Sequence, residues 1–197
     1  MKRISVFCGS SQGNSQIYID AARELGKLLL KQQLGLVFGG GRVGLMGVIA
    51  RTVFEGGGEV IGVIPESLVS AEVAFSELND LRIVEGMHER KALIISLSDG
   101  FIALPGGLGT IEEIFEVLTW AQLGIHSKPC GFLNIAGYFD PIIHFLDEAM
   151  EKGFIDQTIH TKIFIEQKAE LLLEKFKDYI PPIIDKAKWA VKMSKIK

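Results

Sequence analysis

The stretch DGFIALPGGLGTIEEIFE, Asp99 to Glu116, decides the fold. Phe101, Ile102, Ala103 and Leu104 form a short unbroken apolar run, the composition of a strand buried on both faces of a parallel sheet. Pro105 ends that run, and Gly106, Gly107 and Gly109 let bare backbone approach a ligand closely. Thr110 is a good N-cap for a helix starting at Ile111. Free N–H groups at such a start, together with the positive end of the helix dipole, make a phosphate site that needs no lysine. Glu112 and Glu113 then fall in the first helical turn. Glu113 reads in two ways: it completes a capping box with Thr110, or it is a carboxylate set beside a phosphate for chemistry.

Working outward, the unit of strand, glycine-rich turn and helix recurs. Residues 4–8 are a first strand, 9–14 a polar loop, and 16–32 a helix whose Ile19, Ala22, Leu25, Leu29 and Leu30 recur at helical spacing. Residues 34–38 give a second strand that runs into GGGRVGLMG, Gly39 to Gly47. Further strands are expected at 60–64, 81–84 and 130–135, with an edge strand at 161–165, and helices at 87–97, 140–153 and 168–179. The irregular connection over 65–79 is long enough to act as a flap or line a pocket. This alternation predicts an α/β protein: one Rossmann-like, doubly wound domain over residues 1–180, with a mostly parallel sheet and helices on both faces. Residues 181–197 read as a basic C-terminal helix or tail.

Composition excludes several function classes. The chain has 197 residues and a formal net charge of -3, which argues against a general nucleic-acid surface. No apolar run approaches the length of a membrane span, and the residues after Lys2 and Arg3 are too few for a signal-peptide core, so a soluble cytoplasmic protein is expected. Cys8 and Cys130 read as buried free thiols, and the four histidines share no ligand spacing, so neither a metal nor a cofactor is expected.

Gly39, Gly41 and Gly44 match G-x-G-x-x-G, yet the following strand ends in Ile64-Pro65 where a dinucleotide site wants an acid. Arg42 in that turn is either a phosphate partner or a solvated loop residue. Arg90 and Lys91 open a helix, where the dipole disfavours cations. They either hold an anion on the neighbouring turn or form surface pairs with Glu85 or Glu89.

Taken together, Gly39-Gly40-Gly41-x-x-Gly44-Leu45-Met46-Gly47, Met87-His88-x-Arg90-Lys91, Pro105-Gly106-Gly107-x-Gly109-Thr110-x-Glu112-Glu113 and the run Thr119 to His126 resemble the Lonely Guy (LOG) family. Its members are cytokinin riboside 5'-monophosphate phosphoribohydrolases, often mislabelled lysine decarboxylases. The resemblance runs from about Arg3 to Ile155 and includes the loop Val6 to Ser11. It implies a homodimer that takes a small purine nucleoside 5'-monophosphate, AMP included, and cleaves base from ribose 5-phosphate without nucleic acid, membrane or cofactor. It implies Arg90 and Glu113 as the catalytic pair. Positions matching its substrate-binding pattern are Ser10, Gly40, Gly41, Glu72, Met87, Arg90, Lys91, Gly107, Leu108, Gly109, Thr110, Ile111, Glu112, Glu113 and Thr119. Leu108 stands where plant members often carry tyrosine, and Ala74-Phe75-Ser76 replaces a usual Gly-Glu-Thr segment, two departures that bear on base preference. A non-catalytic nucleotide carrier or sensor is the alternative. A pyridoxal-phosphate decarboxylase fits poorly, since no lysine lies in the glycine-rich turns.

Overall fold

A computed structural model describes residues 1–69 and 74–182. Seven strands form one sheet: β1 (Arg3–Phe7), β2 (Gly35–Phe38), β3 (Val60–Pro65), β4 (Asp80–Val84), β5 (Gly100–Ala103), β6 (Cys130–Leu133) and β7 (Ile163–Glu166). Their order is β4-β3-β2-β1-β5-β6-β7, and every pairing is parallel. The helices are α1 (Gln16–Lys31), α2 (Gly44–Glu55), α3 (Met87–Leu97), α4 (Leu108–Gln122), α5 (Asp140–Glu151), the single-turn α6 (Gln157–His160) and α7 (Ala169–Lys177). The expected basic tail over 183–197 lies outside the described residues. No described helix is long and apolar enough to cross a membrane.

Strand periodicity builds two cores. In β1, Ile4 and Val6 face one side while Phe7 faces the other; Leu36 and Phe38 divide from Val37 in the same way, and Ile102 from Phe101 and Ala103. On the first side α1, α2 and α7 cover the sheet with Leu25, Leu29, Ile49, Val53, Leu172 and Phe176. On the second, α3, α4 and α5 cover it with Ile94, Ile95, Ile114, Val117 and Leu146. Two apolar faces need two helical layers, which is what doubly wound means in energetic terms.

The chain winds outward from β1 to β4, then returns to place β5 on the other side of β1, in register from Ile4 opposite Gly100 to Phe7 opposite Ala103. The loops after β1 and β5 therefore diverge to opposite sides and leave a crevice at the carboxyl ends of the strands, where ligands of such sheets bind.

One backbone contact closes that region. The carbonyl of Gly9 accepts from the N–H of Leu45 (3.0 Å) and of Met46 (3.4 Å), and Ser11 also accepts from Leu45 (3.4 Å). Gly44, at φ +65°, turns the chain into α2 so tightly that a Cβ there would lie 2.2 Å from the Ser10 carbonyl carbon. Gly57 has a similar φ of +77° with nothing within 4 Å of a Cβ. Gly57→Ala should therefore cost about 1 kcal/mol from the left-handed backbone alone. Gly44→Ala adds a backbone clash and should cost at least about 3 kcal/mol in urea unfolding. Equal losses would mean that the Gly9–Ser11 loop yields freely.

Candidate active site

The glycine-rich turn after β5 is shorter than the residues suggest. α4 starts at Leu108, with extended Gly107 (φ -90°, ψ -152°) as its N-cap and no side chain capping it. This corrects two expectations: Thr110 does not cap a helix at Ile111, and Thr110 with Glu113 forms no capping box. Thr110 is buried inside the first turn, where packing overrides its capping preference. A Cβ at Gly106 would come 2.1 Å from Thr110 Oγ1 and 2.6 Å from the Gly9 nitrogen, so the turn and the first loop are pressed together. Gly9 N–H donates to the Pro105 carbonyl at 3.0 Å. The amides of Leu108, Gly109 and Thr110, which helix geometry leaves without intrahelical acceptors, thus stand at an opening without a capping side chain. Around them Leu108 is 90% exposed and Gly107 and Gly109 have open space at the Cβ position.

The start of α2 differs. There the Leu45 and Met46 amides are already taken by Gly9. The G-x-G-x-x-G at Gly39, Gly41 and Gly44 builds contact between loops. Gly40 accepts from the Phe75 N–H (2.9 Å), and Gly41 pairs with Ala74 in an isolated antiparallel bridge, so this turn anchors the 65–79 connection. Glu72 lies outside the described residues. Arg42 is exposed.

Arg90 is the fourth residue of α3 and is only 6% exposed. Its Nε donates to the Val63 carbonyl (3.1 Å), Nη2 to the Gly39 carbonyl (3.4 Å), and Nη1 to Met87 Sδ (3.7 Å). Nη1 also lies 3.5 Å from Glu113 Oε1, whose side chain is 13% exposed. A surface pair with Glu85 or Glu89 is thereby replaced: Glu89 accepts from the Glu85 N–H, and the guanidinium is buried against Val63 of β3 and Gly39 just past β2. Carbonyl dipoles and one carboxylate offset the cost of burying the cation. Lys91 lies 2.6 Å from Glu112 and 3.0 Å from Glu116, with its side chain 12% exposed. Hydrogen bonds to Glu112 and then Glu116 raise its pKa, so the ammonium stays charged. Three cation–carboxylate contacts thus tie α3 to α4. Cys8 is close by: burial first, then the charge of Glu113, pushes its thiol pKa well up and makes it a poor nucleophile.

Ser10 and Gly107 meet at a separate part of the crevice, a pocket of about 260 Å³ whose walls include Gly9, Tyr18, Leu45 and Tyr138. Ile111 is half-buried on α4. Thr119 is not brought to this site within one chain. It lies about 16 Å along α4 from Leu108, exposed, with its hydroxyl donating to the Phe115 carbonyl (2.7 Å). Sequence reasoning missed Tyr138, whose hydroxyl donates to the Gly106 carbonyl at 2.7 Å. Its only linear signal is an aromatic residue directly after Gly137, just beyond a buried strand.

Fold and site define a Rossmann-like α/β protein with an uncapped helix start and a buried arginine–glutamate pair at the carboxyl ends of parallel strands. A family model described as "Possible lysine decarboxylase" matches residues 46–176. The cytokinin riboside 5'-monophosphate phosphoribohydrolase LOG1 of Arabidopsis thaliana is 51% identical over 180 residues, covering 91% of this chain and 84% of that protein. The LOG enzyme of Oryza sativa is 49% identical, covering 91% and 74%. The chain belongs to this LOG family of phosphoribohydrolases. Among solved structures, TM1055 superposes with a TM-score of 0.72 at 23% identity, covering 91% of this chain and 100% of that one. The molybdenum cofactor binding protein of Rippkaea orientalis gives 0.67 at 21%, covering 90% and 96%. At those identities the likeness is one of fold.

Arg90→Lys should lower stability by about 1–3 kcal/mol, because one ammonium cannot serve the Val63 carbonyl, the Gly39 carbonyl and Glu113 together. Chemical denaturation checks this; an unchanged midpoint would show that those contacts contribute nothing.

Proposed function

We propose that this protein hydrolyses the N-glycosidic bond of purine nucleoside 5'-monophosphates, AMP and cytokinin-type nucleotides among them, releasing free base and ribose 5-phosphate. The observation that carries the reading is the buried Arg90–Glu113 pair beside the uncapped start of α4. The 5'-phosphate sits on the amides of Leu108, Gly109 and Thr110, with the helix dipole behind them. Glu113 follows Leu108 by about 7 Å along the helix axis, a reach comparable to a ribose 5-phosphate.

Cleavage develops positive charge on the sugar ring. Glu113 stabilises that oxocarbenium-like state and orients a water for attack on the anomeric carbon. The base leaves with the bonding electron pair and takes up a proton, while water supplies the new hydroxyl. Arg90, itself fixed by the Val63 and Gly39 carbonyls, holds the Glu113 carboxyl group in place. Its rigid fork is a positioning device. Lys91, held between Glu112 and Glu116, sets the spacing of α3 from α4 and adds positive potential near the phosphate.

The reading includes a homodimer. Phe145, Phe154, Leu123 and Ile125 are large apolar side chains left exposed along the α4–α5 side, next to half-buried Phe115 and Trp120. A second copy covering that side is the arrangement in which Thr119, remote from its own helix start, can meet a nucleotide. A cytoplasmic setting is supported by the two buried free thiols, Cys8 and Cys130.

The experiment is a panel of nucleosides and nucleoside monophosphates, including isopentenyladenosine monophosphate, analysed by chromatography for free base. AMP should be consumed and adenosine should not; equal turnover of the two would remove the phosphate site from the reading. Glu113→Gln should lower kcat by a factor on the order of 10² to 10⁴ while AMP still binds. Full activity in that variant sinks the catalytic role. For the dimer, Phe145→Asp with Phe154→Asp should halve the mass seen by analytical ultracentrifugation, and an unchanged mass would place the interface elsewhere.

A further inference from the structure

The segment after β6 is built with unusual backbone. Asn134 is buried; its Oδ1 accepts from the Phe139 N–H (2.7 Å), its Nδ2 donates to Asp140 Oδ1 (2.7 Å), and its own N–H donates to the Glu166 carbonyl (2.7 Å). Inside that knot Ala136 (φ 52°) and Gly137 (φ 74°) are both left-handed. A non-glycine residue held there is strained, and such strain persists only where surrounding structure enforces it. What the strained turn delivers is Tyr138. The hydroxyl of Tyr138 reaches the Gly106 carbonyl (2.7 Å), while its ring packs edge-to-face on Tyr18 (5.8 Å between centroids) and on the fully buried Phe139 (5.1 Å).

Gly106 is therefore gripped from two sides. Gly9 N–H takes the Pro105 carbonyl and Tyr138 takes the Gly106 carbonyl. In a trans peptide the C=O of one residue and the N–H of the next point in opposite directions. Fixing the Gly106 carbonyl toward Tyr138 thus aims the Gly107 N–H the other way, and Gly107 is a residue with open space around it. A glycine-rich turn does not hold such an orientation unaided, because glycine rotates freely.

We propose that Tyr138 is a positioning residue for the phosphate: its hydroxyl locks the Gly106–Gly107 peptide so that the Gly107 N–H joins the amides of Leu108, Gly109 and Thr110 as an anion donor. This rests on the phosphate placement proposed above. Tyr138→Phe removes only the latch, since the ring and its contacts with Tyr18 and Phe139 remain. In that variant the KM for AMP and the inhibition constant of ribose 5-phosphate should both rise about fivefold or more, the loss expected when one charge-assisted hydrogen bond is misaimed. kcat and the melting temperature should stay near wild type. Adenosine, tested as a competitive inhibitor without a phosphate, should keep its inhibition constant within about twofold.

A general loosening of the site would weaken adenosine and ribose 5-phosphate alike, and that result overturns the latch, as does wild-type binding of both. A Tyr138→Phe chain that fails to fold also overturns it, because the hydroxyl would then be holding the fold. If wild-type protein releases no base from any nucleotide, the functional reading fails instead. Ribose 5-phosphate affinity, measured by calorimetry on both forms, still tests the latch in that case: equal affinities remove it.

Discussion

The carbonyl and amide of Gly9 hold the crevice together. The carbonyl accepts from the first amides of α2, and the amide donates to Pro105 in the turn after β5. One residue thus joins the loops that leave β1 and β5 with the glycine turn that follows β2. It also makes a choice between two similar helix starts. Because Gly9 occupies the Leu45 and Met46 amides while no side chain caps α4, the two glycine-rich turns, alike in sequence, end in differently used helix starts.

From that arrangement the burial of Arg90 follows. A guanidinium at a helix start and nearly out of water would be costly without compensation. The carbonyls of Val63 in β3 and of Gly39 just past β2, with the carboxyl group of Glu113, provide it, and a Cβ at Gly39 would lie 2.1 Å from the guanidinium. The pair is not an efficient way to stabilise a fold, as apolar residues of similar size generally do that as well. At the open end of a crevice, what the pair supplies is geometry: a carboxyl group aimed by a rigid cation.

Much of this was legible in the sequence, and the reasons are physical. Continuous apolar runs such as Phe101 to Leu104 mark strands buried on both faces, and the regular return of helix-length segments between them fixes a parallel sheet. The glycine turns were legible too, because few other residues permit such close approach of loops. The start of α4 was misread, since Thr110 has a strong local capping preference that tertiary packing against Gly106 outweighs. Arg90 left its environment open because its partners are carbonyls far away in the chain, and a carbonyl carries no residue signature. Tyr138 escaped notice for the same reason.

The crevice draws on five stretches of chain: the loop after β1, the turn after β2, the start of α3, the turn into α4 and the segment after β6 that carries Tyr138. Gly9 meets Pro105, and Arg90 meets Gly39. Such pairings join residues remote in sequence, and their loop-closure entropy must be met before they contribute anything, which slows folding. No early folding fragment can hold the constellation. A chain still emerging during synthesis has β1 and its loop long before β5 and α4 arrive, so the stretches that form the crevice can meet only after well over half of the chain has been made.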